Sequence, residues 1–150
     1  MCYTAKSKKE RTKQIASKDI LVYKVTALVD DHVESLCRDY KYLPNIINKH
    51  IKLHYKYDIY TYRHRGLNCV FKGHIIDKGY YSYINKEIAK NDLSQYLIYA
   101  CVKYAVSPKP LVCAECVIPK GTKYCVNKEG VVISETIIYT GRYIMLYNGR

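Results

Sequence analysis

The chain has 150 residues, 49% of them apolar, which is material for one domain and leaves little room for a second. Twenty-five Lys and Arg against 13 Asp and Glu give a formal charge of +12, a field that draws in polyanions and speeds association with them. No stretch approaches the roughly 20 apolar residues of a membrane-spanning helix, and seven cysteines, an odd number with no secretory leader, argue against a disulfide framework.

Residues 1–17 crowd Lys6, Lys8, Lys9, Arg11 and Lys13 together without hydrophobic period, which predicts a flexible basic arm ahead of a single domain over 18–150. That polar opening is no signal sequence, so the chain is expected in the cytoplasm. Ile20 to Val25 is a β-branched run and reads as a strand. Asp30 to Tyr42 reads as a short helix capped by Asp30 or Asp31 and ended by Leu43-Pro44-Asn45. His50 to Arg63 carries the strongest strand signal. There Ile51, Leu53, Tyr55, Tyr57 and Ile59 alternate with His50, Lys52, His54, Lys56 and Asp58, which predicts a core face and a solvent face.

Asn68 to Phe71 and Gly79 to Tyr83 read as further strands. Asn85 is placed to cap a helix running to about Ala105, with Ala89, Leu93, Tyr96, Leu97, Ala100 and Tyr104 along one stripe. Strands follow at Leu111 to Ile118, Thr122 to Val126, Val131 to Tyr139 and Tyr143 to Tyr147, with turns at Pro119-Lys120-Gly121 and Asn127 to Gly130. The fold class expected is α+β: an antiparallel, β-rich sheet, one long covering helix over about residues 86–105, and a short N-terminal helix.

Few residue patterns carry chemistry. Cys113-Ala-Glu-Cys116 lacks a second ligand pair for zinc, and on a strand residues three apart face opposite ways, so buried thiols are expected and no metal. His50 and His54 stand among Lys52 and Lys56, a setting too positive for a cation. The same face suits an anion. Lys52, His54, Lys56, Tyr60 and Tyr62 line up with His50 and His64, with Arg63 and Arg65 close by. Lysine supplies phosphate contacts, and tyrosine offers a ring on which a base stacks. Eighteen Tyr against one Phe and no Trp also favour half-buried rings with a wet end. Gly66, Gly73 and Gly79 form no nucleotide-binding loop.

Two segments carry a resemblance. Asp77 to Lys90 resembles a "GFHSF…A" stretch, and Cys116 to Tyr124 an "IPKGSxYY" stretch, of small uncharacterised proteins of gut Bacteroidetes and their phages. The same order is distantly similar to ADP-ribosyltransferase-type folds through Tyr23-Lys24, Gly79 to Tyr83, Ala89, Pro119 to Gly121 and Glu135. That likeness implies NAD as cofactor and Tyr23, Ser82 and Glu135 as catalytic residues. Glu135 would steady an oxocarbenium ion, and Lys24 would hold the anionic pyrophosphate. Lys24 stands where that family carries a bidentate Arg, and Ile133 where it carries a second acidic residue or Gln. The function expected first is therefore non-enzymatic and without cofactor or membrane. It is a phage or mobile-element accessory protein, in the bacterial host's cytoplasm if phage-encoded, binding nucleic acid, a nucleotide or an acidic host protein. The alternatives are the NAD-using transferase and a structural, virion-associated protein.

Overall fold

The structure is a computed structural model that describes residues 3–149, the side chain of His64 excepted. Strand formers dominate the chain, and 51% of the described residues are strand against 14% helix. In chain order the elements are β1 (Tyr3–Ala5), α1 (Lys8–Arg11), β2 (Gln14–Ile15), β3 (Ile20–Val29), β4 (His32–Glu34), β5 (Lys41–Tyr42), β6 (His54–His64), β7 (Leu67–Lys78) and β8 (Tyr80–Tyr83). Then come α2 (Lys86–Asn91), α3 (Leu93–Lys103), β9 (Leu111–Ile118), β10 (Lys123–Val126), β11 (Val131–Ser134) and β12 (Ile138–Tyr147). They form two antiparallel sheets. The larger runs β12-β9-β3-β8-β11-β10-β2, with β4 and β5 branching from β3, and the smaller runs β1-β7-β6.

The centre of the large sheet is buried on both faces, which is why β3 and β9 are near-continuous apolar runs. On one face Val22, Val112, Ala114, Cys116, Ile118 and Val132 pack with Tyr42, Tyr80, Ile137 and Tyr139. On the other Val25, Ala27, Leu111 and Cys113 pack with Tyr83 and with Ala89 and Tyr96 of the helices. Cys113 and Cys116 therefore lie on opposite faces, as period two requires, and both are free thiols.

The long covering helix is not there. Asn85 caps α2 as expected, its side chain accepting from the Ile88 N–H at 2.9 Å. The helix then breaks at Asp92, where ψ is 7°, and among the described residues α3 is the only helix of seven or more residues. Asp92 ends α2 and begins α3, its N–H donating to the Ala89 carbonyl and its own carbonyl accepting from Tyr96, and its carboxylate is held by a 2.6 Å hydrogen bond from the Tyr83 hydroxyl. The fold is accordingly β-dominated, with three small helices among the described residues, rather than a sheet under one long helix.

The short helix expected over Asp30 to Tyr42 is also absent. Asp30 has φ 53° and, with Asp31, makes the two-residue turn that folds β4 back on β3, pairing Val29 with His32. Buried Val33 and Tyr42 hold this segment extended against the sheet.

Among the described residues the arm is docked rather than loose. Tyr3 pairs with Ile76, is buried, and donates its hydroxyl to the Glu10 carbonyl at 2.6 Å. The buried Glu10 carboxylate accepts from the backbone N–H groups of Lys6 at 2.9 Å and Lys128 at 2.6 Å. Tyr3 and Ala5, set before a run of lysines, are too few to show a period, yet enough to anchor the segment once Ile76 and Cys125 surround them. Met1 and Cys2, the start of that expected arm, lie outside the described residues.

β6 and β7 form a two-stranded hairpin closed by Arg65 (φ 51°) and Gly66 (φ 77°), the left-handed pair that a type I′ turn demands. At its base Tyr55 and Ile76 join a core with Tyr3, Leu53 and Ile133. From Tyr57 to Val70 none of the described side chains is buried. Tyr57 and Ile59, expected on a core face, are 59% and 58% exposed because none of the described residues covers that face of the outer hairpin. Among the described residues no helix is long and apolar enough to cross a membrane.

Candidate nucleic-acid interface

The hairpin register decides which side chains act together. Tyr60 lies opposite Phe71 and Tyr62 opposite Cys69, so these four share one face. The Tyr60 and Phe71 rings sit 5.0 Å apart at 32°, and Tyr60 and Tyr62 are 6.0 Å apart at 53°. The result is a short aromatic stair across two strands. The other face carries Tyr57 opposite His74, Ile59 opposite Lys72, Thr61 opposite Val70 and Arg63 opposite Asn68. Tyr57 and His74 meet edge to face at 5.4 Å.

Charge is distributed unevenly along this hairpin. Its outer half, residues 59–72, carries Arg63, Arg65 and Lys72 and no carboxylate. Its base holds the acids. His54 Nδ1 lies 2.6 Å from Asp77, and Lys56 Nζ lies 3.8 Å from Asp77 and 3.9 Å from Asp58. Partial burial would raise the Asp77 carboxyl, but the His54 hydrogen bond and the nearby Lys56 charge bring it to a net position below the usual range. His54 and Lys56 are thus committed to carboxylates of their own chain.

The expected anion surface divides accordingly. Lys56, Tyr60 and Tyr62 share a face of β6, Arg63 points the other way, and Arg65 sits in the turn. A register shift separates His54 from Tyr55, and the exposed Lys52 precedes the strand. Lys24 is elsewhere, buried in the large sheet, its Nζ donating to the Tyr81 carbonyl. Loss of hydration pulls its ammonium down to about 8. The sequence reading missed Phe71 and Lys72, which only the register around Arg65-Gly66 places beside Ile59 and Tyr60.

The residues implied by the transferase likeness do not converge. Tyr23 pairs with Tyr83, so the adjacent Ser82 points to the opposite face of the sheet. Ser82 pairs with Val132, three residues from Glu135, a separation of about 10 Å along the strand direction. Glu135 does point inward, and it is fully engaged. Its carboxylate meets His50 Nε2 at 2.6 Å, the Leu53 N–H at 3.4 Å and Lys13 Nζ at 3.7 Å. Among the described residues no three His, Cys, Asp or Glu side chains group as metal ligands would. Comparison of the chain with family models, curated proteins and solved structures gave no match.

Proposed function

We propose that the protein is a non-enzymatic binder of single-stranded nucleic acid that engages its ligand along the outer half of the β6–β7 hairpin. The observation that carries this reading is the coincidence, on one two-stranded ribbon, of an aromatic stair on one face with three cations, Arg65 in the turn and Arg63 and Lys72 on the other face, and with no carboxylate in residues 59–72. Stacking on tyrosine and phenylalanine is sequence-tolerant, and Arg65 at the tip, with Arg63 and Lys72 behind the stair, neutralises phosphates of a strand that runs round the end of the ribbon. A single strand can splay its bases onto such a ribbon, whereas a duplex offers only its edges and backbone. The formal charge of +12 adds a long-range attraction to the same ligand. The resemblance to small phage-associated proteins fits an accessory role of this kind.

Fluorescence anisotropy with labelled single-stranded DNA and RNA tests the reading. Three neutralised phosphates give a slope of log affinity against log salt of about −2 for a single strand, hence a fall of roughly 20-fold between 50 and 200 mM salt. Arg63→Ala should reduce that slope by about 0.7. Tyr62→Ala should weaken binding by about 1–3 kcal/mol with little change in slope. No binding to single-stranded DNA or RNA at low salt, or equal affinity for the Tyr62→Ala variant, would refute it.

A further inference from the structure

One edge of β3 changes partner along its length. Tyr23 bridges to Tyr83 of β8, whereas Ala27, Leu28 and Val29 pair with β4. Between those pairings Lys24, Val25 and Thr26 have no ladder partner on that edge, and a cavity of about 30 Å³ opens there. Lys24, Arg38, Tyr42 and Tyr80 are among its lining residues, and no carboxylate is. Lys24 is 8% exposed and makes no ion pair among the described residues. Its Nζ donates to one acceptor, the Tyr81 carbonyl, and lies 5.4 Å from the centre of the Tyr42 ring.

An ammonium has three hydrogens to donate, and burying one without a counter-charge is costly. The hydroxyl of Tyr42, which is also fully buried, has no hydrogen-bond partner. Thr26 Oγ1 and Ser82 Oγ, on the same sheet face as Lys24, are buried and unpartnered as well. Native proteins rarely leave buried polar atoms unpaired, and of these groups Lys24 and Tyr42 line the cavity, which marks it as a place where an ion or water belongs. The cavity's charged groups, Lys24 and the exposed Arg38, are both cationic, and the Tyr42 hydroxyl has a hydrogen to donate.

We infer that this cavity is a binding site for a small monovalent anion, a halide or the carboxylate end of a small molecule, held by the Lys24 ammonium and the Tyr42 hydroxyl. The size sets the class. About 30 Å³ of room for water centres accommodates roughly two waters, which suits a chloride or a carboxylate group and is too little for a nucleotide. The site lies on the large sheet and is independent of the hairpin, so it neither needs nor supports nucleic-acid binding.

The test replaces gluconate, too bulky to enter, by chloride, bromide or formate at constant ionic strength, and follows the melting temperature. The wild type should rise saturably with the small anions. Lys24→Met, which keeps the side-chain length, should lose that rise, and Tyr42→Phe should weaken the apparent affinity about tenfold, the value of one charge-assisted hydrogen bond. Crystals soaked in bromide should show anomalous density within hydrogen-bond distance of Lys24 Nζ and Tyr42 Oη. A response to bromide alone assigns a halide site, and a response to formate assigns a carboxylate site. Equal anion responses in wild type and Tyr42→Phe, or a bromide map with only water in the cavity, would overturn the inference even if Lys24→Met failed to fold.

Discussion

Glu135→Gln separates a structural carboxylate from a catalytic one. The side chain ties three distant segments together: His50 and Leu53 before β6, Lys13 beside β2, and the loop after β11. Its backbone adds two more ties, accepting from the Ile51 N–H at 2.8 Å and donating to the Lys123 carbonyl at 3.0 Å. A hydrogen bond to a charged group contributes about 1.5–3 kcal/mol when buried, but the His50 side chain is 66% exposed, which moves its share toward the 0–1 kcal/mol of a surface pair. Lys13 at 3.7 Å adds little more. Gln retains an oxygen for the Leu53 N–H, so Glu135→Gln should cost about 1–2 kcal/mol. Glu135→Ala leaves that buried N–H unsatisfied and opens a void, so it should cost about 3 kcal/mol. For a chain of this size each kcal/mol shifts the melting midpoint by about 2–4 °C. Urea denaturation of the two single variants, of His50→Ala, and of the His50→Ala/Glu135→Gln pair gives the coupling directly. A coupling near 1 kcal/mol is expected. A loss under about 0.3 kcal/mol for Glu135→Ala, or no coupling to His50, would refute the structural role.

Three further outcomes follow from buried groups. Lys24 titrates near 8 in the fold against 10.5 ordinarily, so the unfolded chain holds a proton between those values that the native one releases. Its burden on the native state, about 3 kcal/mol below pH 8, therefore shrinks as pH rises toward 10.5. In gluconate buffer Lys24→Met should be more stable than wild type at pH 7, by about 2 kcal/mol once the lost bond to Tyr81 is counted, and the gap should close through pH 8–10 in urea titrations. Burial pushes the Cys113 and Cys125 thiols up and the Cys116 thiol to about 12, so a thiol reagent should label Cys37 and Cys101 in the native protein and reach those three only on unfolding. Mass spectrometry of native and urea-treated samples reads this directly. Gly79 has φ +137°, and a Cβ there would come within 2.7 Å of both Ile133 Cγ1 and Leu53 Cδ2, so Gly79→Ala should lower stability by about 1–3 kcal/mol, measured by thermal melting.

The sequence read best where local chemistry and tertiary environment agree. The limits of β9, the Asn85 cap and the opposed faces of Cys113 and Cys116 were all legible because an apolar β-branched run, a capping side chain and period two each act within a few residues. Where two local readings compete, distant partners decide. Asp30-Asp31 suits a helix cap and a hairpin turn alike, and burial of Val33 and Tyr42 selects the turn. Asn91-Asp92 could lie inside a helix, and the Asp92 carboxylate at the break is held by the Tyr83 hydroxyl, nine residues away in sequence.

The candidate site shows the limit most clearly. Alternation over Ile51 to Ile59 states which side chains share a face and is silent on whether anything covers that face. Leu53 and Tyr55 meet Tyr3 and Ile76, whereas Tyr57 and Ile59, in the same phase, meet solvent. The converse holds at Lys24. Within Ile20 to Val25 a lysine looks like the solvent-facing member of an alternating strand, yet β9 on one edge and Tyr42 above place it in the interior. Period fixes phase, and only the neighbouring strands fix depth. Net charge has the same blindness, since it counts Lys24, Lys56 and Arg63 alike although one is buried, one is paired with Asp58 and Asp77, and one stands on the outer hairpin among no acids. The proposed nucleic-acid site depends on the last kind of charge, along the hairpin, and the proposed small-anion site on the first kind, in the sheet, so the two should answer to different variants.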